Sequence, residues 1–338
     1  MTSTASRAGP SARRVLITGV AGFIGFHLAR RLSDQGVEVL GIDNLSGYYD
    51  PALKQGRLNR LERLGGFRFV AMDIVDAARL KDLVASFRPH CMINLAAQAG
   101  VRYSLEQPHA YVSANVDGFL SVLEACRAYP VDHLIYASSS SVYGTNTKVP
   151  FHEDDPVIHP ASLYAVTKRA NELMARTYAH LFGIPVSGLR FFTVYGPWGR
   201  PDMAYYSFTK AILARQPIDV YNHGLMRRDF TYIDDAVEAI ARLIDQAPLR
   251  GVAGDDVPHT VYNIGNQTPV TLDRFITAIE RALDMPAERR LLPMQPGDVP
   301  ETYADVERLS RATGFSPSTT IEEGIARFVA WFREFHAA

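Results

Sequence analysis

Tyr164 and Lys168 stand four residues apart in the segment SLYAVTK, so both lie on one face of a helix predicted to begin near residue 162. A lysine ammonium beside a phenol favours the tyrosinate, and a tyrosinate can remove a proton from a hydroxyl group. Tyrosine and lysine also meet at this spacing by chance on exposed helices. The pair indicates general-base chemistry only if other groups converge on it.

A run of four serines, residues 138 to 141, follows an apolar segment in YASSSSVYG. A hydroxyl at the end of a buried strand can hydrogen-bond to a reacting oxygen, although serines at a strand end also cap backbone groups. The carboxyl ends of parallel strands form the crevice in which ligands of open α/β sheets bind. The run therefore places hydroxyl groups where Tyr164 and Lys168 are expected.

Three glycines, Gly19, Gly22 and Gly25, follow the apolar segment RVLIT directly and open a helical segment that includes Phe23 and Ile24. Glycines in this context let the backbone approach a pyrophosphate, which binds the free N–H groups at the start of the helix. The pattern predicts a dinucleotide site. A glycine-rich turn without a ligand is the alternative.

The next predicted strand ends at Asp43, eighteen residues past Gly25. A carboxylate there can accept both hydroxyls of the adenosine ribose and would repel a 2′-phosphate, and no arginine follows within ten residues, so NAD is favoured over NADP. A turn or helix cap is the alternative for Asp43. Other predicted cofactor residues follow the second, third and fourth strands: Asn44, Asp73, Ile74, Leu95, Ala96 and Ala97.

Short apolar segments alternate with amphipathic ones over the first two-thirds of the chain. This alternation predicts an α/β fold, a doubly wound parallel sheet of the Rossmann type with a smaller, partly interleaved C-terminal α/β domain. We expect a disordered tail at 1–12, an NAD-binding domain at 13–190 with returns near 224–266, and a nucleotide-sugar-binding domain at 191–223 and 267–338. Helices are predicted near 22–34, 76–87, 108–128, 162–182, 203–215, 271–283 and 319–335, and a strand pair around 218–232.

The composition argues against several classes of partner. The 338 residues include 35 Lys and Arg against 36 Asp and Glu, so no charge pattern for nucleic acid or an anionic membrane is visible. The longest uncharged apolar run, residues 15–26, is too short to span a bilayer. Cys91 and Cys126 lie in apolar segments, which favours buried free thiols in the cytoplasm. The ten histidines lack metal-ligand spacing, and no metal is expected.

The combination of TGxxGFIG, the serine run and Tyr-x-x-x-Lys resembles the nucleotide-sugar branch of the extended short-chain dehydrogenase/reductases. Within this branch the sequence resembles the UDP-glucuronate 4-epimerases, and the resemblance extends from about residue 14 to the last helix. The segments that carry it are NLAAQAGVRYS, YASSSSVYG, RFFTVYGPWGRPDMA and RRDFTYIDD. The resemblance implies that NAD-dependent oxidation at C4, rotation of the 4-keto sugar and re-reduction convert UDP-glucuronate to UDP-galacturonate. It also implies a homodimer built from the helices near 108–128 and 162–182.

The resemblance assigns the catalytic role to Ser139 within the serine run, with Tyr164 as the base. A free tyrosine is protonated at pH 7, so a useful base needs a pKa decrease of roughly three units, about 4 kcal/mol. We attribute that decrease to Lys168 and the positive nicotinamide. Resembling dehydratases and decarboxylases carry acids at one or both of the positions of Ser140 and Ser141, so serines there favour oxidation and reduction over elimination.

The resemblance also indicates substrate-binding residues. Arg228 matches a diphosphate-contacting arginine, Asp298 a ribose contact, and Arg102 and Arg200 lie in loops expected at the same edge of the sheet. Thr193 is a candidate for the sugar carboxylate, which must be held so that the 4-keto acid does not lose carbon dioxide. Solvent exposure of the arginines and local packing of Thr193 are alternatives. A UDP-glucose 4-epimerase or a non-catalytic dinucleotide-binding protein are the alternative functions.

Overall fold

The centre of the fold is a parallel sheet of seven strands with helices on both faces. The computed structural model describes residues 13–250, 256–294 and 301–337. Two sequence-based predictions, the tail at 1–12 and the contact by Asp298, lie outside the described residues.

The strands fall into one large sheet and two small ones. The large sheet contains β1 (Arg14–Thr18), β2 (Glu38–Asp43), β3 (Phe67–Ala71), β4 (Cys91–Asn94), β5 (His133–Ser139), β6 (Val186–Phe191) and β10 (His259–Ile264). The small sheets contain β7 (Thr193–Tyr195), β8 (Ile218–Val220), β9 (Arg227–Tyr232), β11 (Pro269–Thr271), β12 (Arg289–Leu291) and β13 (Glu301–Thr302).

The large sheet runs in the order β3-β2-β1-β4-β5-β6-β10, and every neighbouring pair is parallel. This confirms the predicted doubly wound sheet. The order changes direction between β1 and β4, and the crevice outside their carboxyl ends is the expected position of a ligand. The described helices are α1 (Phe23–Asp34), α2 (Pro51–Leu61), α3 (Ala77–Phe87), α4 (Tyr103–Glu106), α5 (Pro108–Tyr111), α6 (Gly118–Ala128), α7 (Leu163–Phe182), α8 (Ala204–Leu213), α9 (Ile233–Leu243), α10 (Leu272–Leu283), α11 (Glu307–Thr313) and α12 (Ile321–Ala337).

Both faces of the sheet are buried because its strands are apolar on both sides. In β1, Val15 and Ile17 belong to one hydrophobic core, whereas Leu16 belongs to the other. Successive side chains of a strand point to opposite faces, so an uninterrupted apolar run fills both cores and requires helices on each side. No described helix is long and apolar enough to cross a bilayer.

The predicted helix over 108–128 is present, and its middle turn, Val112–Asp117 between α5 and α6, is π-helical. The buried Asn115 of this turn hydrogen-bonds to the backbone of Gln98. The predicted pairing within 218–232 is wrong, because β8 pairs with β12 and β9 pairs with β7, β11 and β13. Left-handed Asn222 and His223 redirect the chain between β8 and β9.

The chain leaves the large sheet after β6 and returns to it as β10, which pairs with β6 over its whole length. Between them it builds β7, β8 and β9 of the small sheets. The exact division into two domains stays a prediction.

Candidate active site

The glycine-rich segment forms a tight turn between β1 and α1. Gly19 has a φ of 72°, and a Cβ there would lie 2.7 Å from the Ala96 nitrogen. A Cβ on Gly25 would lie 2.2 Å from the Gly19 carbonyl oxygen. No side chain caps the start of α1 at Gly22. The turn thus packs closely on the segment after β4 and leaves helix amides for an anion.

Asp43 ends β2 as a buried carboxylate. It accepts the Ala21 amide at 3.1 Å and the Leu45 amide at 2.8 Å, and it pairs with the Lys54 ammonium at 3.3 Å. The predicted ribose acceptor therefore also ties the glycine turn to the end of β2.

One cavity at the carboxyl edge of the large sheet gathers the predicted cofactor and catalytic groups. The predicted cofactor residues that line it are Gly19, Gly22, Phe23, Ile24, Gly25, Asp43, Asn44, Asp73, Ile74, Leu95, Ala96 and Ala97. Ser139, Tyr164 and Lys168 line the same cavity. Residues separated by more than a hundred positions in the sequence thus share one site.

The three predicted catalytic residues come from two adjacent elements. Ser139 is the last residue of β5, and α7, which carries Tyr164 and Lys168, begins at the Ser162 cap. The neighbouring Ser139 hydroxyl lowers the pKa of the Tyr164 phenol. The Lys168 ammonium lies 6.0 Å from the centre of the Tyr164 ring and donates to the Ala137 carbonyl oxygen at 2.8 Å.

The electrostatics of this group differ from the sequence-based argument. Burial raises the pKa of the Tyr164 phenol, and the influences that oppose it are the Ser139 hydrogen bond and the positive charge of Arg200. Burial also lowers the pKa of the Lys168 ammonium to about 8. Within the protein, the positive charge of Arg200 therefore lowers the pKa of the phenol, an effect that the sequence argument assigned to Lys168. The Lys168 ammonium is directed at a backbone carbonyl.

Comparison with known proteins agrees with this arrangement. Residues 15–265 match the model of the NAD dependent epimerase/dehydratase family. The chain belongs to this family. The resemblance predicted from the motifs is therefore confirmed, and membership in this NAD-dependent family confirms the predicted cofactor.

Individual relatives in the epimerase/dehydratase family are similar over almost their full length. A probable UDP-glucuronate 4-epimerase of Rhizobium meliloti is 49% identical, over 94% of this chain and 96% of that protein. The crystal structure of a Bacillus cereus UDP-glucuronic acid 4-epimerase in complex with UDP-glucuronic acid and NAD has a TM-score of 0.86 at 32% identity, covering 95% of this chain and 99% of the other. A UDP-glucose 4-epimerase of Thermotoga maritima, solved with UDP-glucose, has a TM-score of 0.84 at 29% identity, covering 96% and 99%.

The residues of the turn and crevice fit the dinucleotide that the family uses. The close approach at Gly25 leaves no room for a side chain between the turn and α1, and the uncapped amides of α1 suit a pyrophosphate. Asn44 donates to the Asp73 carboxylate at 2.8 Å, and Asp73 also accepts the Val75 amide at 3.0 Å. Asp73 thus stabilises the turn after β3 through the Val75 amide and also lines the cavity.

Arg200 is the predicted substrate residue that the structure brings to the cavity. Its guanidinium binds the Asp202 carboxylate through two hydrogen bonds of 3.0 and 2.6 Å. Tyr48, from the loop after β2, donates to the same carboxylate at 3.4 Å. A charged pair therefore stands at the wall of the cavity that also holds Tyr164.

Ser139 lines this cavity as well, whereas Thr193, Arg102, Arg228, Ser140 and Ser141 are not among its lining residues. Thr193 begins β7 between Phe192 and Val194, which do line it. Arg102 is exposed, with its guanidinium 5.6 Å from the centre of the Tyr221 ring.

Arg228 lies on β9 and donates to the Arg227 carbonyl. Ser140 and Ser141 form the short 3₁₀ turn after β5 and are half-buried. Their substrate roles, like that of Asp298, stay predictions.

The four serines have different partners. Ser139 donates to the Ser141 hydroxyl and accepts the Ser141 amide, each at 3.1 Å, so it caps the 3₁₀ turn. Ser138 also lines the cavity and donates to the buried Glu172 carboxylate at 2.7 Å. Backbone capping, the alternative considered for the run, therefore describes Ser139, whose hydroxyl accepts a backbone amide, but not Ser138.

Sequence reasoning missed several cavity residues, chiefly because it missed α2. Lys54 lies on that helix and reaches Asp43. The start of α2 carries a recognisable signal, since Asp50 caps the helix and Pro51 occupies its first turn. Tyr48 and Gln98 also line the cavity, and no local pattern marks either residue.

Within the described ranges, no group of three or more His, Cys, Asp or Glu side chains could hold a metal ion.

Proposed function

We propose that this chain is an NAD-dependent epimerase that interconverts UDP-glucuronate and UDP-galacturonate at C4. The observation that carries the proposal is the position of Ser139, Tyr164 and Lys168 in the cavity that the glycine turn and Asp43 also line. The names of the Rhizobium and Bacillus relatives support the choice of sugar.

In the proposed reaction Tyr164 removes the proton from the 4-hydroxyl of the sugar, and Ser139 hydrogen-bonds to the same oxygen. When bound, NAD accepts hydride from C4 and returns it to the opposite face of the 4-keto sugar. Lys168, protonated below its pKa of about 8, contributes positive charge beside the phenol. Arg200 adds to that charge. Both cations stabilise the tyrosinate against the burial that disfavours it.

For the sugar nucleotide we propose Arg228 and Arg102 as contacts of the diphosphate, and Asp298 as a contact of its ribose. Thr193 is proposed to hold the sugar carboxylate, because hydroxyls donate to carboxylates and its neighbours Phe192 and Val194 line the cavity. Ser140 and Ser141, which follow Ser139, are proposed as further contacts of the sugar. Arg200 can attract the same carboxylate because its guanidinium presents several donors.

UDP-glucose 4-epimerase is the second candidate function, because the same three catalytic residues serve a neutral sugar and the Thermotoga structure is similar over the full chain. A dinucleotide-binding protein without turnover is disfavoured because Ser139, Tyr164 and Lys168 line the same cavity as the glycine turn.

The test is to incubate the purified protein, without added NAD, with UDP-glucuronate, UDP-galacturonate, UDP-glucose and UDP-galactose and to separate the products by chromatography. We expect interconversion of the two hexuronates and little change of the neutral sugars. Turnover of only the neutral pair would establish the second candidate, and no turnover with any sugar would contradict both enzymes.

Asp43→Ala is expected to weaken NAD binding by about tenfold to a hundredfold. The substitution removes a ribose acceptor and the tie to the glycine turn, and hydrogen bonds to a charged group contribute about 1.5–3 kcal/mol each. Isothermal titration with NAD measures the change. Asp82→Ala, which removes an exposed carboxylate on α3, is the control. Equal affinity in the Asp43 and Asp82 variants would remove the ribose assignment.

We also propose a homodimer formed through α6, the preceding π-helical turn and α7. Val112 and Leu120 form an exposed apolar stripe on the first two elements, and Val166, Leu173 and Leu181 form one on α7. The two helices pack against each other, so their stripes make one surface that a second copy could cover as a four-helix bundle.

Leu173→Glu is expected to convert the dimer to a monomer at micromolar concentration, because each copy would place a carboxylate in the apolar interface. Light scattering coupled to size-exclusion chromatography measures the mass. Leu291→Glu changes an exposed leucine on β12 and serves as the control. A wild-type chain that elutes as a monomer would contradict the proposed dimer.

A cytoplasmic location is proposed from the cysteines alone. Cys91 and Cys126 are buried free thiols, and burial raises the pKa of Cys126 to about 12. Buried thiols do not readily form the thiolate that disulfide exchange requires.

A further inference from the structure

A buried polar cluster lies directly behind the proposed catalytic residues. The Glu172 carboxylate, on α7, accepts the Ser138 hydroxyl at 2.7 Å and two donors of the Arg190 guanidinium at 2.8 and 3.0 Å. Arg169 adds a hydrogen bond of 2.9 Å from the same helix. Ser138, Glu172 and Arg190 are each at most 3% exposed. Each of the two carboxylate oxygens therefore accepts a hydrogen bond from a guanidinium group in a buried environment.

The cluster joins the two elements that carry the catalytic groups. Ser138 precedes Ser139 on β5 and is the register partner of Arg190 on β6. Glu172 is one helical turn past Lys168, which is itself one turn past Tyr164. Three successive turns of α7 thus contact residues 137–139 of β5: Tyr164 meets Ser139, Lys168 meets the carbonyl of residue 137, and Glu172 meets Ser138.

The Arg190 guanidinium also has hydrogen-bond partners other than Glu172. Its guanidinium donates to the Tyr143 hydroxyl and to the Glu153 carbonyl, each at 3.0 Å. Tyr143 in turn donates to the Asn263 side chain at 2.7 Å. Arg190 therefore connects β6 to the turn after β5 and to β10, and it has no freedom to follow α7 if that helix slides.

Burying such a pair adds little net stability, because desolvation of the two charges offsets most of their attraction. A buried charged pair can instead specify one arrangement of the elements that carry it, because any slip leaves charges unpaired. In this fold a slip of α7 along β5 would break the Glu172–Ser138 and Lys168–Ala137 hydrogen bonds and move Tyr164 relative to Ser139.

We propose that Ser138, Glu172 and Arg190 are positioning residues that hold α7 in register with β5 and so keep Tyr164 beside Ser139 in the cavity. In this role none of the three contributes a proton, and Ser138, which lines the same cavity, acts through its hydrogen bond to Glu172. The inference rests on the proposed epimerase function only for its kinetic test.

The kinetic test compares Ser138→Ala with Ser187→Ala. Ser187 is a matched control, since it is a buried serine on β6 that hydrogen-bonds to His133 at 2.8 Å and does not line the cavity. We expect Ser138→Ala to lower kcat about tenfold with KM and NAD content nearly unchanged, because misplacement of a catalytic group reduces kcat. Both variants should lower Tm by a similar amount. Equal kcat in the two variants would overturn the inference.

A second measurement needs no substrate. Hydrogen exchange of the peptide that covers 163–172 should be faster in Ser138→Ala than in wild type and unchanged in Ser187→Ala. Equal exchange in both variants overturns the inference whatever the activity. An inactive wild-type protein would contradict the proposed function, and the exchange result would still decide the positioning role.

Glu172→Gln extends the test, because its amide retains the shape of the side chain but leaves Arg190 and Arg169 without their carboxylate. We expect a decrease in kcat of about a hundredfold, larger than for Ser138→Ala. If this variant does not fold, the Ser138 variant remains the deciding one. A folded Glu172→Gln protein with wild-type kcat would also overturn the inference.

Discussion

Tyr164→Phe is expected to lower kcat for epimerisation about a thousandfold, within the range that a positioned general base supplies. The phenylalanine keeps the ring at the cavity wall but removes the hydroxyl that lies beside Ser139. No proton acceptor is then left at this position to receive the proton of the sugar hydroxyl. Initial rates with UDP-glucuronate, measured by product chromatography, give the effect.

The variant should retain NAD, because the turn and Asp43 that fit the dinucleotide are unchanged. NAD content is measured by absorbance after the protein is denatured. Tyr178→Phe is the matched control, since it removes a hydroxyl from the same helix, one that donates to Glu124 at 2.6 Å. It should stay within about twofold of wild type. A Tyr164→Phe enzyme as active as this control would exclude Tyr164 as the base.

Gly25→Ala is expected to abolish NAD retention and therefore activity. The new Cβ would lie 2.2 Å from the Gly19 carbonyl oxygen and 2.9 Å from the Val20 Cα. Both are main-chain atoms, so the turn itself must move, and the amides that face the pyrophosphate move with it. We expect a loss of NAD affinity of at least about a hundredfold, measured by titration of protein freed of nucleotide.

Gly65→Ala provides the comparison for this variant, because a Cβ at Gly65 meets nothing within 4 Å. Circular dichroism establishes that both variants fold. A folded Gly25→Ala protein that purifies with a full complement of NAD would show that the turn is not the pyrophosphate site.

Pairs of residues close in the sequence are placed together by local geometry alone. Gly19 and Gly25 are required by contacts within a single turn, and Tyr164 and Lys168 are brought together by one helical turn. The apolar runs of the strands predicted the parallel sheet for a similar reason, because their pattern reports burial on both faces. Even α2 had a local signal at Asp50 and Pro51 that the sequence analysis did not use.

Contacts between distant segments required the folded structure. The ion pair of Lys54 with Asp43, the influence of Arg200 on Tyr164, and the joining of Ser138 to Glu172 and Arg190 each depend on how separate elements pack. Spacing along the chain places residues on a helix face or at a strand end, but the direction of each side chain is set by its neighbours across the core. No local pattern distinguishes four consecutive serines, and only packing determines that the Ser138 hydroxyl donates to Glu172 whereas the Ser139 hydroxyl donates to Ser141.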